Sequence, residues 1–489
     1  MNRIALTSVL IVAGSLLPTG CVVGPNFQTP VAVAPTQWRD REPATSSTHA
    51  LGPDWWTLFG DETLSDLQRR ALAANQDLRK AVARVDESRA NLGAAKSARS
   101  PALNLSQSAE RSRSSETAAQ GSLPAGGSIP LEQDRFRTVM DGSYELDLWG
   151  KVRRTVESAT AQSAATEAAR DTVMLNLTAE VAENYFSLRS IEAEIAVLER
   201  TVDLREKALT VNQARFNGGM VLPTDVSRAE TELANVQSDL AEARRRRARF
   251  LNALALLCGE PAPAFHLDPK PLAATPPPEV PPGLPSELLL RRPDIAEAER
   301  AAAAKCAEIG VAKAAFLPSV KLTGNAGVQS PQLSDLFTWD SRLWAIGPSV
   351  SLPIFNGGKS QANLQVAEAR YEQAVATYRQ AVLGAFRDVE NALTNTRAYA
   401  EQAEALRRAE DAARRTAGYF DQRLQGGMIG YLDVVESQRT LLQAERASVQ
   451  NLGARYSASV QLIKSLGGGW QATGPAPQHD PKGELAAKE

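Results

Sequence analysis

Histidine and cysteine are scarce in this chain, and neither sign of charge is in excess. Its 489 residues include three histidines and three cysteines, and 54 basic residues against 56 acidic ones leave a net charge of −2. A balanced charge excludes the basic surface that nucleic-acid binding needs. Three cysteines predict no disulfide framework. The histidines, His49, His266 and His479, all lie in polar or Pro-rich segments. We therefore expect no metal, no cofactor and no enzyme.

Long apolar runs are also missing beyond the N-terminus. The N-terminal run IALTSVLIVAGSLL is too short to span a bilayer but has the length of a secretory signal core. It ends at Gly20-Cys21 and resembles a bacterial lipoprotein signal, which implies removal of residues 1–20 and acylation of Cys21, for example with palmitate. Pro18 stands where such signals usually carry leucine, so an ordinary secretory signal with an incidental cysteine is the alternative. The absence of aspartate at Val22 is similar to lipoproteins exported to the outer membrane.

One short pattern occurs twice in the chain. Residues 215–226 read RFNGGMVLPTDV, and residues 423–434 read RLQGGMIGYLDV. Asp225 and Asp433 are 433 − 225 = 208 positions apart, and the same offset relates other pairs from Lys151 onward. A constant offset over more than a hundred residues indicates an internal duplication. We predict two copies of one unit, repeat 1 at 76–258 and repeat 2 at 293–466, with a Pro-rich linker at 259–292.

The longest elements are predicted to be helices. Residues 359–425 contain no proline and carry apolar side chains every seven residues, which is typical of coiled-coil packing. These 67 residues would extend about 100 Å, so an amphipathic helix on a globular core is the less favoured alternative. The segment 152–217 is the equivalent helix of repeat 1. Shorter helices are predicted to return at 222–257 and 431–466, and to precede the strands at 76–98 and 293–315.

Between these helices the apolar residues alternate instead. Four strands are predicted, at about 101–115, 136–150, 318–330 and 343–355, with one apolar and one polar face. Their length and pattern are typical of membrane β-barrel strands, although strands of a soluble sandwich also alternate. Four strands cannot close a barrel, and an open edge in a bilayer leaves backbone groups unpaired. The predicted fold class is therefore an α+β membrane protein in which three copies share a 12-stranded transmembrane barrel above a periplasmic helical tunnel.

Several stretches resemble one known family. GCVVGPNFQTP, PDWWTLFGDETL, GLPSELLLRRPDIAEAER and LPIFNGGK are similar to the TolC family of outer membrane factors, in particular the lipoprotein branch (NodT/OprM-like) that serves resistance-nodulation-division efflux systems. The resemblance covers almost the whole chain. It implies a homotrimer in the outer membrane, lipid-anchored, docked to a periplasmic adaptor and an inner-membrane pump.

The resemblance implies an exit duct for small toxic compounds such as drugs. A duct for type I protein secretion is an alternative, and a lipid-anchored periplasmic coiled-coil scaffold is a less favoured one. The remaining segments, 21–75 and the tail 467–489, are expected to form an N-terminal lipid-anchored part and an equatorial belt around the helices.

The repeated turns carry the predicted functional residues. The tips at 217–222 and 425–430 resemble the sites at which this family meets adaptor hairpins, and the matching positions are Gly218, Gly219, Met220, Gly426, Gly427 and Met428. Glycines needed only to end a helix are the alternative. A gate is expected just beyond the turns, formed by Asp225, Arg228, Asp433 and Glu436. Arg228 and Glu436 are predicted to pair across hairpins, whereas carboxylates that merely favour a helix N-terminus are the alternative.

Overall fold

The computed structural model describes residues 22–32, 34–39, 52–115, 131–281, 285, 288–426 and 428–470. These residues fall into two compact units. The strand unit comprises Met1–Pro30, Val85–Thr166 and Ala298–Tyr378, and the tip unit comprises Val31–Arg84, Glu167–Glu297 and Arg379–Glu489. The signal at 1–20, Cys21, Gly427 and the last residues of the tail, 471–489, lie outside the described residues.

The strand unit contains one antiparallel sheet of four strands in the order β1-β2-β3-β4. The strands are β1 (Ala102–Arg113), β2 (Glu132–Leu146), β3 (Ser319–Ser330) and β4 (Arg342–Ser351). The structure thus has four strands in the regions where the alternating pattern predicts them.

Both bounds of β2 differ from the sequence prediction. β2 starts at Glu132 rather than 136 because Glu132 forms a cross-strand ion pair with Arg111 at 2.9 Å, so polar residues prolong the ladder. It ends at Leu146 rather than 150 because the Asp147 carboxylate accepts hydrogen bonds from the backbone N–H of Val152 and the next residue, both at 2.9 Å. Capping the following helix removes Asp147 from the strand.

The sheet has one apolar and one polar face, set by the register. Leu322 of β3 lies opposite Tyr144 and Pro348, and Ala326 lies opposite Met140 and Trp344. The other face carries Asn104 opposite Asp141, Asp141 opposite Asn325, Ser143 opposite Thr323, and Glu145 opposite Lys321. The apolar face is exposed in the single chain, and the most accessible large apolar side chains on it are Trp344 (77%), Ile346 (70%), Leu103 (68%) and Leu105 (67%).

The helices have equal lengths in pairs. α2 (Gln76–Ser97) and α5 (Pro293–Ala314) have 22 residues, α3 (Lys151–Asn217) and α6 (Lys359–Gln425) have 67, and α4 (Pro223–Leu257) and α7 (Tyr431–Ser465) have 35. The sequence offsets predict this equality, while the duplication itself stays a prediction. A further helix, α1 (Glu62–Ala74), follows the N-terminal arm.

The tip unit has a core of aromatic and aliphatic side chains. The rings of Phe59, Phe186 and Tyr456 stack with centroids 4.6 to 6.0 Å apart, beside the fully buried Leu64 and Leu67 of α1. These contacts join α1, α3 and α7.

The Pro-rich linker packs against this core without long helices. Phe265 is buried, and the guanidinium of Arg70 lies over its ring at 5.0 Å. The backbone N–H of Leu272 donates to the carbonyl of Arg189 at 3.0 Å. The same Arg189 pairs with the buried Glu192 at 2.7 Å. Hydrogen bonds to α3 thus hold a segment that proline keeps from forming regular structure.

Candidate functional site

The first repeated turn is a helix cap built on glycine. α3 ends at Asn217, and Gly219 follows with φ of 73°, a left-handed conformation that costs glycine little. The N–H of Gly219 donates to the carbonyl of Phe216 at 2.8 Å, and that of Met220 to the carbonyl of Arg215 at 2.9 Å. This is the Schellman arrangement, which satisfies the last carbonyls of a helix.

The second turn repeats the geometry as far as it is described. The N–H of Gly426 donates to the carbonyl of Gln422 at 3.1 Å, and that of Met428 to the carbonyl of Arg423 at 2.9 Å. Gly427, the counterpart of the left-handed glycine, lies outside the described residues. Both long helices therefore end with the same hydrogen bond from a methionine N–H.

The two methionines are largely exposed in the described part of the chain, so they are not core residues. Met220 is 72% exposed and Met428 is 64% exposed. Each folds back over a glycine of its own turn, since a β-carbon at Gly218 would lie 3.3 Å from Met220 Cε and one at Gly426 would lie 3.2 Å from Met428 Cε. Helix termination explains the glycines but not two exposed, flexible apolar side chains at the tips.

The predicted gate residue Asp225 serves its own helix. Its carboxylate accepts a hydrogen bond from the Leu222 N–H at 3.3 Å, at the start of α4. Arg228 Nη1 lies 4.0 Å from Asp225 Oδ1. Asp433 occupies the same third position of α7. Both carboxylates thus lie where the helix dipole favours a negative charge.

Arg228 and Glu436 each have an ionic partner on their own helix. Arg228 is next to Asp225, and Glu436 accepts a hydrogen bond from Arg439 Nη1 at 3.2 Å. Within the described part of a single chain, the structure does not bring Arg228 and Glu436 together as an ion pair. The cross-hairpin latch stays a prediction for the assembled protein.

A polar cluster that the sequence analysis missed lies about two to three helical turns from the tips. Glu232 of α4 accepts a hydrogen bond from Arg439 Nη2 of α7 at 2.5 Å and lies 3.8 Å from Arg205 of α3. Arg205 also donates to Gln438 at 2.9 Å and is only 2% exposed. The sequence signal is the sevenfold spacing of Arg205 from the buried Leu198, which places a charge in a seam of buried side chains.

The N-terminal arm lies beside the end of a strand. The N–H of Val23 donates to the carbonyl of Trp149 at 3.2 Å, three residues after β2 ends at Leu146. Val22 is therefore close to the junction between the sheet and α3. Cys21 itself is not described, but its neighbour is held at this junction.

The described residues offer neither a metal site nor a reactive thiol. Within the described ranges, no group of three or more His, Cys, Asp or Glu side chains is arranged to hold a metal ion. The described cysteines, Cys258 and Cys306, are free and buried, and burial raises the pKa of the Cys258 thiol to about 11. An unreactive thiol is the consequence.

No helix in the described part of the chain has both the length and the apolar character to cross a membrane.

A sheet with two unlike faces and paired helical hairpins with exposed tips define the class of outer-membrane channel proteins. The chain belongs to the outer membrane efflux protein family, whose model matches residues 67–260 and 284–468. This finding confirms the family resemblance seen in the sequence. The chain is thus an outer-membrane efflux protein.

Relatives cover nearly the whole chain. The toluene efflux pump outer membrane protein TtgC of Pseudomonas putida is 33% identical over 468 residues, which are 94% of this chain and 95% of that protein. The cation efflux system protein CusC of Escherichia coli O6:H1 is 31% identical over 459 residues, 94% of this chain and 97% of that protein. The solved structure of the outer-membrane channel OprN has a TM-score of 0.84, with 31% identity over 92% of this chain and 100% of that one.

Proposed function

We propose that three copies of this chain form one continuous duct through the outer membrane, with a shared twelve-stranded barrel and a periplasmic tunnel of helices. The observation that carries the proposal is the exposed apolar face of the four-stranded sheet, where Trp344 is 77% and Ile346 70% accessible. A soluble sandwich or scaffold would bury that face. Lipid is the solvent in which such a face is favourable.

The edges of the sheet support sharing of the barrel. β1 and β4 are edge strands with one partner each. Unpaired backbone groups inside a bilayer cost several kcal/mol each. Pairing β4 of one copy with β1 of the next removes every edge. Three copies with four strands each would form a closed barrel of twelve strands.

The polar face supports a water-filled lumen. Asp141, Asn325, Thr323 and Ser143 lie together on it across β2 and β3. These side chains are satisfied by water and unfavourable in hydrocarbon. A barrel that turns this face inwards therefore encloses an aqueous path.

The helical hairpins supply the docking end. Six exposed methionines, two per chain, would face one periplasmic adaptor, with an inner-membrane pump beyond it. The gate residues Asp225, Arg228, Asp433 and Glu436 would lie just inside the same end. Acylation of Cys21 would anchor the arm beside the strand ends, since Val23 contacts Trp149 there. The equatorial linker and tail would brace the hairpins.

The duct would pass small toxic compounds such as drugs. Relatives of similar identity are named for toluene and for cations, which differ in size, charge and polarity. A shared exit for such different cargo indicates that the pump and adaptor choose the substrate.

Single-channel recording with cysteine accessibility tests the proposal. Asn325 and Ala326 are neighbours on opposite faces of β3, opposite Asp141 and Met140 respectively. In planar bilayers the purified protein should show unitary conductance. A charged, water-soluble thiol reagent should lower it for Asn325→Cys but not for the matched Ala326→Cys. A soluble scaffold would give no conductance, and equal modification of both variants would contradict the assignment of the two faces.

A further inference from the structure

The apolar face of the sheet ends at a defined row of residues. From the row of Val350 up to the row of Trp344, the side chains on this face are apolar or glycine in every described strand apart from Tyr144. The next row contains three polar residues, Arg342 of β4, Thr138 of β2 and Gln107 of β1, beside Val328 of β3. The seven residues from Trp344 to Val350 span about 20 Å of strand, which is most of the ~25 Å apolar band of an outer-membrane barrel. Arg342 therefore stands at the boundary between hydrocarbon and headgroups.

The side chain of Arg342 is held in place rather than free in solvent. Its guanidinium lies over the ring of Trp339, and its Nε donates to the Trp339 carbonyl at 2.8 Å. Trp339 is 79% exposed and Phe337, in the same β3–β4 loop, is 80% exposed. An indole beside an exposed phenylalanine is typical of the interfacial aromatic belt.

Internal hydrogen bonds order the loop that joins β3 and β4. Ser341 Oγ donates to the Asp335 carbonyl at 2.6 Å, and Thr338 Oγ1 donates to the same carbonyl at 2.8 Å. Short helical turns at Leu333–Asp335 and Trp339–Ser341 complete it. Trp339 and Arg342 are thus presented by a defined turn, so their geometry exists before any ligand arrives.

Among the described residues, the guanidinium of Arg342 has no ion-pair partner. Arg111, which occupies a comparable position on the sheet, does have one. Among the described residues, no carboxylate lies within 4 Å of its guanidinium, and Asp340 is the acidic group that acts on it at longer range. Arg111 lies on the same face and towards the same end of the sheet, but it pairs with Glu132 at 2.9 Å. A fixed cation at the edge of an apolar band fits an anion that arrives with an apolar tail.

We propose that Arg342 and Trp339 form a binding site for the phosphate of lipid A, the phosphorylated glycolipid of the outer leaflet, with one site per chain. The loop between β3 and β4 lies at the end of the strands opposite to their helical connections, and so faces the cell exterior if the helices are periplasmic. This inference rests on the proposed membrane orientation of the sheet. A guanidinium forms paired hydrogen bonds with phosphate oxygens, the acyl chains lie along Leu105 and Trp344, and the indole meets the sugar at the interface.

Native mass spectrometry of the full-length assembled protein tests this site. Detergent-solubilised protein is titrated with lipid A, with dephosphorylated lipid A and with phosphatidylglycerol. Wild type should bind lipid A and retain little of the dephosphorylated form. Arg342→Gln should weaken lipid A binding about tenfold or more, the effect of losing a charge-assisted pair. Arg342→Lys should lose less, and Trp339→Ala should also weaken binding. Arg111→Gln is the matched control and should bind as wild type does.

Unchanged lipid A binding in Arg342→Gln would overturn the site. Equal binding of phosphatidylglycerol and lipid A, with equal loss in the variant, would overturn the assignment to lipid A. Planar-bilayer conductance separates these outcomes from a failure of the proposed function. A conducting protein whose lipid binding ignores Arg342 contradicts only this inference, whereas absence of conductance in wild type contradicts the duct itself.

Discussion

The carboxylate of Glu194 on α3 accepts two hydrogen bonds from Arg446 on α7, at 3.1 and 2.9 Å, although the two residues are 252 positions apart in sequence. Arg246 of α4 donates to the same oxygen at 3.0 Å. Glu194 is 2% exposed. One buried carboxylate thus links a helix of the second hairpin to both helices of the first.

Glu194→Gln should destabilise the tip unit. The substitution keeps the shape of the side chain but removes the carboxylate that pairs with Arg246 and leaves Arg446 with Asp239 alone, at 2.7 Å, so we expect a loss of about 1–3 kcal/mol in the free energy of unfolding. Urea denaturation followed by circular dichroism measures it. Glu199→Gln is the control, because Glu199 and its partner Arg244 are both largely exposed and such pairs contribute about 0–1 kcal/mol. Equal losses in the two variants would contradict the role of Glu194.

Glu183→Gln should stabilise the protein at neutral pH, whereas Glu194→Gln should destabilise it. Burial raises the pKa of Glu183, Lys464 opposes the shift, and Glu180 adds to it. Because the folded-state pKa is raised, the favourable contribution of this carboxyl is present below its unfolded pKa and is lost as pH rises through the folded one. The variant, which never ionises, should therefore melt at a higher temperature than wild type at pH 7.

The difference should shrink as the pH approaches 4. Melting curves from pH 4 to 8 measure it, with the exposed Glu206→Gln as the control. A constant difference between Glu183→Gln and wild type over this range would show that ionisation of Glu183 is not the cause.

Met220→Ala and Met428→Ala test adaptor docking without disturbing the turns. Neither side chain is buried, so stability should hold while each loss of apolar contact weakens adaptor binding by about 1–2 kcal/mol, roughly fivefold or more. Surface plasmon resonance with the purified adaptor and drug-susceptibility assays measure the effect. Leu204→Ala, with a 57% exposed side chain earlier on α3, is the control.

The glycines require a separate experiment. Gly219→Val should strain a residue with φ of 73° and lower stability by about 1–2 kcal/mol. A bulky residue at Gly219 or Gly427 should also abolish efflux while the protein still assembles. Normal efflux in both methionine variants and in both glycine variants would count against docking at the tips.

The gate hypothesis makes a prediction about conductance. If Arg228 and Glu436 pair across hairpins of the assembled protein, Arg228→Ala and Glu436→Gln should each raise single-channel conductance. Asp433→Asn should weaken block by divalent cations, because a ring of carboxylates attracts them. Three variants that conduct and block like wild type would leave these side chains with the role seen in one chain, stabilising helix ends.

Acylation of Cys21 is testable at the mature N-terminus. Mass spectrometry should find the chain beginning at an acylated Cys21 in the wild type and no acyl group in Cys21→Ser. The variant should still insert into the membrane, since the sheet supplies most of the apolar surface. An unmodified wild-type N-terminus would contradict the lipid anchor.

Periodicity predicted the helices and strands because each type of element has one strong sequence pattern: a sevenfold repeat of apolar residues in the long helices and strict alternation in the strands. The proline-free 359–425 segment became α6 at Lys359–Gln425, and the alternating segment near 318–330 became β3 at Ser319–Ser330. Strand ends were less predictable because capping by Asp147 and cross-strand charge pairs decide them. β4 also stops at Ser351, before Pro353, which has no N–H to donate.

Side-chain pairing was the part that sequence patterns could not determine. The 208-residue offset relates Arg228 to Glu436, but an acid or base three positions away on the same helix lies within reach at little entropic cost. In the single chain, Arg228 therefore pairs with Asp225, and Glu436 pairs with Arg439. Arg205 was missed because a charged residue in a buried seam contradicts the binary pattern on which the prediction rests.

If copies of this chain share a barrel as proposed, a single chain that has not yet assembled exposes two surfaces that favour aggregation. The apolar face with Trp344 and Ile346 is bare, and β1 and β4 offer unpaired strand edges, which are templates for aggregation in water. In the proposed location, passage through the aqueous periplasm would expose both surfaces to water. A chaperone that covers the sheet would then protect the chain, and rapid pairing of β1 with β4 of another copy would have the same effect.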